Sequence, residues 1–130
     1  MIASVHPKEI LRTDLFDFKP ISCWVDRRAV LIGDAAHATT PNLGQGACQA
    51  IEDAYVIAQQ LTSTRDIETA FLEFQQKRIK KAKFITNTSW QFAQMTNTSG
   101  LKKSIVKRIL RMTPNCINEK QLDKIYSLNY

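Results

Sequence analysis

The segment GDAAHATTPNLGQGACQAIED, residues 33–53, decides how the chain reads. Directly before it stands Ala29-Val30-Leu31-Ile32. A short apolar run without polar alternation predicts a strand buried on both faces, as in a parallel sheet. Asp34 falls at the C-terminal end of that strand. Small residues with Pro41, Gly44 and Gly46 then make a tight loop, and from Ala47 the apolar period becomes helical. Ligands of open α/β sheets bind just beyond the C-terminal strand ends. A carboxylate there suits the hydroxyls of a ribose or ribityl chain. The helix start, with its unpaired N–H groups and positive dipole end, suits negative charge. Gly44 and Gly46 carry no Cβ, so a flat ring or a phosphate can lie close against the backbone.

Upstream, residues 8–25 read as extended structure. Ile10, Leu15, Phe16, Phe18, Ile21, Trp24 and Val25 are strand formers, interrupted by Pro20. A parallel strand needs neighbours, and the chain offers no second run like Ala29–Ile32, so its partners are expected to be missing. Downstream, Ala47, Ala50, Ile51, Ala54, Ile57, Ala58 and Leu61 predict a helix with one apolar stripe. Glu52 and Asp53 read as first-turn residues that favour the helix dipole, with Asp53 also a candidate partner of the glycine loop. Ser63 or Thr64 is the expected cap of a second helix, with Asp66 in its first turn. Its stripe is Ile67, Ala70, Phe71, Phe74, Arg78, Ala82 and Ile85, and it extends past Trp90 to Met95 with Gly100 as its stop. Two shorter helices follow. One spans Leu101–Met112 and is closed by Pro114; the other is capped by Asn118, with Leu122, Ile125 and Tyr126 on one face. Trp24, Trp90, Phe71 and Phe74 read as packing residues, His37 as a structural loop histidine and Cys48 as a packed small residue. Arg78 is expected either to meet an acidic group outside this chain or to be solvated.

The 130 residues suffice for one small domain, and 44% apolar content with only 4 Gly and 4 Pro excludes a low-complexity chain. No signal-peptide pattern opens it and no apolar run could span a membrane, which favours a cytoplasmic protein. Cys23, Cys48 and Cys116 are scattered without a CxxC, which suits reduced thiols. His6 and His37 form no Cys/His cluster, so no metal site is expected. The net charge of +6 is unevenly spread. Residues 1–75 carry 6 Lys and Arg against 10 Asp and Glu; residues 76–130 carry 12 against 2. A basic helical module contacting nucleic acid or an anionic membrane through residues 77–111 is therefore one reading. The basic residues lack interleaved aromatics and a docking motif, so a solvated helix face is preferred and no nucleic acid is expected.

GDAAH, PxxGQG and the acidic helix that follows, at this spacing, closely resemble the second flavin fingerprint of the flavoprotein aromatic hydroxylases. These are single-component FAD monooxygenases related to 4-hydroxybenzoate, salicylate and 6-hydroxynicotinate hydroxylases and to zeaxanthin epoxidase. The resemblance reaches upstream to Pro20 and Trp24. Downstream it reaches Phe74 to Arg78, which is similar to the family's aromatic-x-x-x-Arg. The resemblance implies roles. Asp34 is similar to the aspartate that hydrogen-bonds FAD hydroxyls, and Gly33 lets the strand turn beside the cofactor. Pro41 resembles the loop proline beside the isoalloxazine ring. Gly44, Gln45, Gly46 and Ala47 resemble the loop and helix start whose N–H groups face the flavin N1 and O2 side, where reduced flavin is anionic. No residue resembles a substrate-specific catalytic base.

The implied fold is α/β, a partial 4-hydroxybenzoate hydroxylase-like FAD-binding fold. It has one buried strand, extended segments before it and three to four helices after it. Residues 1–28 would end a substrate-domain sheet, residues 29–62 form the flavin-side strand–loop–helix, and residues 63–130 form a C-terminal helical region. The implied function is a monooxygenase that hydroxylates or epoxidises a small aromatic or unsaturated substrate with NAD(P)H and O2. The N-terminal GxGxxG unit that binds the ADP half of FAD, and the family's middle DG motif, are absent from this sequence. Met1 is therefore expected to be an internal or truncated start, and the chain to be a split or remnant gene product. The alternative is a non-catalytic remnant or subunit that needs a separately encoded N-terminal half. The chain alone is expected to be marginally stable and to hold FAD weakly.

Overall fold

The computed structural model describes residues 6–97 apart from 12 and 15, residues 104 and 108, and residues 115–127. Among the described residues a two-stranded hairpin, β1 (Val25–Asp26) and β2 (Ala29–Val30), is followed by the helices α1 (Asp34–His37), α2 (Gly46–Ser63), α3 (Ile67–Thr96) and α4 (Asn115–Tyr126), and residues 104 and 108 are helical. Short 3-10 turns lie at Pro7–Glu9 and Pro41–Leu43. The described residues are thus mostly helical, and the helix expected over 101–112 lies almost wholly outside them.

The strand reading needs correction. Only Ala29 and Val30 pair, and they do so antiparallel, with Val25 opposite Val30 and Asp26 opposite Ala29. Leu31 donates its N–H to the Trp24 carbonyl at 2.9 Å, after which Leu31 and Ile32 stand 41% and 44% exposed. No other strand among the described residues reaches them. An apolar strand without flanking strands cannot be buried on two faces, and its unpaired edge stays open. The extended segment expected over 8–25 likewise forms no strand before Val25 among the described residues.

α3 follows its sequence closely. Ala70, Phe71, Phe74, Arg78, Ala82 and Ile85 are all buried, and the inward face continues through Thr86 and Ser89. Its cap is Asp66, not Ser63 or Thr64. The Asp66 carboxylate accepts from the Thr69 N–H at 3.1 Å and from the Thr69 hydroxyl, satisfying an otherwise orphaned first-turn donor. Ser63 ends α2, and the Thr64 hydroxyl accepts from the Asp66 N–H at 3.2 Å. In α4, Ile125 alone of the expected face is buried; Leu122 and Tyr126 are 49% and 62% exposed. Asn118 lies inside that helix rather than capping it.

α2 reverses the expectation. Its buried residues are Gln49, Glu52, Asp53, Val56 and Gln60, a largely polar face turned toward α3. Most of the apolar stripe faces away, with Ile51 70% and Leu61 45% exposed, and only its Ile57 edge packs against the core. Apolar periodicity shows which face gains from burial, not which neighbour is available. Here the available neighbour is α3, and it brings an arginine. Around that contact sits the core: Trp24, Ala36, Val56, Phe74 and Ala82, with Ile21, Val30, Ile57 and Ile79 packed against it. The Trp24 ring lies 5.5 Å from His37 and 6.0 Å from Phe74, centroid to centroid. Trp90, expected as packing, is 52% exposed.

Candidate flavin-side site

The turn out of β2 is sharp. Gly33 adopts φ 57° and ψ −138°, a backbone conformation that side-chain-bearing residues scarcely populate. A Cβ there would also press to 3.4 Å from the Ala50 Cβ. The Gly33 carbonyl accepts from the Ala36 and His37 N–H groups at 2.9 and 3.0 Å, starting α1. This leaves Asp34 exposed at the first position of α1. Pro41 opens the next turn at a position that needs no N–H. Gly44 closes it with φ 63°, donating to the Pro41 carbonyl at 3.0 Å, and a Cβ at Gly44 would meet nothing within 4 Å. Gln45 is the N-cap of α2, buried and without a side-chain capping bond. The helical ladder begins with the Gln49 N–H to the Gln45 carbonyl. The amides of Gly46, Ala47 and Cys48 precede it at the helix's positive end.

Asp34, Thr39, Pro41, Gly44, Gly46, Ala47 and Ala50 line one open cavity of about 540 Å3. Five of the seven residues singled out in the sequence therefore meet on one wall. Gly33 and Gln45 stand behind it, shaping the turn and the helix start. Cys48 is exposed, not packed, because it lies on the outward side of α2.

A buried ionic cluster supports this wall, and the sequence reading did not foresee it. Arg78 has no exposed side-chain surface. Its Nε donates to Asp53 Oδ1 at 2.7 Å, Nη1 to Glu52 Oε2 at 2.5 Å, and Nη2 to the Gln49 side-chain and main-chain oxygens at 2.8 and 3.2 Å. Asp53 Oδ2 accepts from the Gly33 N–H at 2.9 Å and from His37 Nε2 at 2.6 Å. Lys81 Nζ adds two contacts of 2.8 Å to the Glu52 carboxylate. Glu52 and Asp53 are thus not first-turn dipole partners, since α2 begins at Gly46. Arg78 is buried, not solvated, and finds its acidic partners within the chain, and the glycine that Asp53 bonds is Gly33, not one in the loop. The signal was available as spacing: Gln49, Glu52 and Asp53 share one helix face, and Arg78 and Lys81 share another. The loop is fixed to α3 a second time, where the Thr40 and Ser89 hydroxyls meet at 2.8 Å and the Ser89 hydroxyl donates to the Thr40 carbonyl at 2.6 Å.

Burial raises the Asp53 pKa, but hydrogen bonds from His37, Arg78 and the Gly33 N–H outweigh it and hold the carboxyl below its usual range. A carboxylate with a depressed folded-state pKa stabilises fully above its unfolded value, and that contribution is lost as pH falls through the folded one. The urea midpoint is therefore expected to fall between about pH 5 and pH 3. The acid-sensitive part should shrink in Asp53→Asn. An equal acid slope in that variant would place the sensitivity elsewhere.

Among the described residues no group of His, Cys, Asp and Glu could hold a metal ion, and no helix is long and apolar enough to cross a membrane. A strand-end turn, an open glycine loop and an uncapped helix start share one wall, features that nucleotide-binding proteins use to hold cofactors. The chain belongs to the FAD binding domain family, which matches residues 19–89. It is 42% identical over 95 residues to the aurachin C monooxygenase/isomerase of Stigmatella aurantiaca, covering 73% of this chain and 25% of that protein. It is 40% identical over 83 residues to the FAD-dependent urate hydroxylase of Klebsiella pneumoniae, covering 64% and 22%. The solved structure of Klebsiella pneumoniae HpxO complexed with FAD and uric acid superposes with a TM-score of 0.82 at 30% identity, over 95% of this chain and 32% of that one. The chain thus spans about a quarter of the curated relatives and a third of the solved structure.

Proposed function

We propose that this chain forms the flavin-ring side of an FAD-dependent monooxygenase that acts on a small aromatic or unsaturated substrate with NAD(P)H and O2. The observation that carries the reading is the cavity in which Asp34, Pro41, Gly44, Gly46 and Ala47 meet at the start of α2. Three features fit a flavin. Open space over Gly44 admits a flat ring. The amides of residues 46–48 stand ready for a polar or anionic edge. The exposed Asp34 carboxylate is free to accept from hydroxyls. When bound, FAD would supply the redox and oxygen chemistry. The residues here would bind and orient it: Asp34 as acceptor for hydroxyl donors, Pro41 and Gly44 as apolar ring contacts, and the α2 amides as donors that stabilise developing negative charge.

The remaining walls would come from a polypeptide that supplies the other part of the fold, including a unit for the ADP half of FAD. The exposed Leu31 and Ile32 beyond β2 and Ile51 and Tyr55 on α2 support this partner, because they are apolar surface that a further part of the fold could cover. A non-catalytic subunit that needs such a half is the second reading, favoured by the same surface. A cytoplasmic location fits both.

Flavin uptake separates these readings. FAD fluorescence quenching is measured with the chain alone and with an N-terminal half from a related enzyme. A yellow complex is expected with the partner present. Asp34→Ala should weaken it by at least about tenfold, the scale of a hydrogen bond to a charged group. NAD(P)H oxidation by the reconstituted pair supports the monooxygenase, and flavin uptake without turnover supports the subunit. Absence of flavin in every mixture would sink both.

A further inference from the structure

The loop carries two adjacent threonines with different fates. The Thr40 hydroxyl is tied to Ser89 on α3. The Thr39 hydroxyl oxygen is shut away from solvent and has no hydrogen-bond partner. A buried hydroxyl left unpaired costs about 1–3 kcal/mol, so such a group calls for a reason. Thr39 also lines the cavity beside Asp34, Pro41, Gly44 and Gly46. Its methyl, not its hydroxyl, is the group nearest Gly46: a Cβ built there would lie 3.8 Å from Thr39 Cγ2.

We infer that Thr39 is a ligand-contacting residue whose hydroxyl turns into the cavity when flavin binds. The inference rests on the flavin reading above. Rotation about χ1 moves the threonine hydroxyl and methyl among the three staggered positions of one Cβ. In the free chain Thr39 lines the cavity with its methyl on the Gly46 side, and its hydroxyl is orphaned. With a polar ring edge in the cavity, rotation releases the orphan and adds one hydrogen bond. Thr39 thus favours the loaded state twice, by a bond gained and by an unsatisfied group removed.

The test compares Thr39→Val, which keeps the shape and deletes the hydroxyl, with Thr39→Ser, which keeps the hydroxyl. Two quantities are read: the Kd for FAD by fluorescence quenching, and the thermal midpoint without flavin. Thr39→Val is expected to weaken FAD by about five- to tenfold, the size of one net hydrogen bond. Its flavin-free midpoint should equal or exceed that of the parent. Thr39→Ser should bind within about twofold. Equal FAD affinity in Thr39→Val would overturn the inference while leaving the flavin reading standing. A flavin-free midpoint several degrees lower in Thr39→Val would also overturn it, by giving the hydroxyl a structural partner. No FAD uptake by the parent chain, with or without its partner half, would remove the flavin reading and this inference together.

Discussion

Arg78→Met is expected to destabilise the fold by about 3–5 kcal/mol, the cost of leaving buried charges without their partner. The methionine fills much of the arginine's volume, so packing loss is small and the electrostatic loss dominates. Asp53 is fully buried and would keep only His37 and the Gly33 N–H. Glu52 would keep Lys81 and Gln49. Urea unfolding measures the loss. A stringent control removes the charges together: Glu52→Gln and Asp53→Leu combined with Arg78→Met should recover a large part of the stability, because a buried ion cluster replaced as a set is often nearly neutral. Full additivity of the separate losses would show that the three side chains do not act as one unit. The lesion should also reach the cavity, since Asp53 holds the amide of Gly33 and thereby the turn that presents Asp34. Flavin affinity is therefore expected to fall in Arg78→Met even where the chain remains folded.

Phe74→Ala is expected to cost a similar amount, about 3–5 kcal/mol, by a different route. Phe74 is fully buried, packs beside Trp24, and shares a cluster with Ala36 of α1, Val56 of α2 and Ala82 of α3. Its removal opens a cavity where three helices and the hairpin converge, and none of them can collapse inward without breaking the ionic cluster one turn away. Leu72, two residues earlier but 49% exposed, is the comparison; Leu72→Ala should stay within about 1 kcal/mol. The pair is read by thermal melts at constant pH. Equal losses at the two sites would mean that the core does not converge on Phe74.

The α3 stripe was legible because apolar and small residues recur at helical spacing from Ile67 to Ile85 and one face takes them all. That five of the candidate residues share one cavity was legible for another reason. A strand end, a glycine loop and a helix start are consecutive in sequence, so local geometry alone brings Asp34, Pro41, Gly44, Gly46 and Ala47 together. The face that α2 turns inward differs from its apolar stripe because α3 meets the polar residues beside that stripe, and Ile51 and Leu61 are left exposed. The strand Ala29–Ile32 was read as doubly buried for the same reason: pattern records the environment a segment suits, and only the assembled structure supplies it.

The sequence by itself determined the loop through Gly44, the helix start near Gly46 and the inward stripe of α3, since each rests on contacts within a few residues; the β1–β2 hairpin, α1 and the Asp53 bond that holds the Gly33 turn came only with the fold. The tertiary structure alone decided that Arg78, 25 residues beyond Asp53, would join Glu52, Asp53 and His37 in one buried cluster. It also decided that Thr39 would keep an unpartnered hydroxyl at the cavity wall while Thr40 bonded Ser89. These pairings depend on how α3 lies against α2. That placement is the sum of many weak contacts: spacing shows which residues share a helix face, and only the packing shows that the two faces meet.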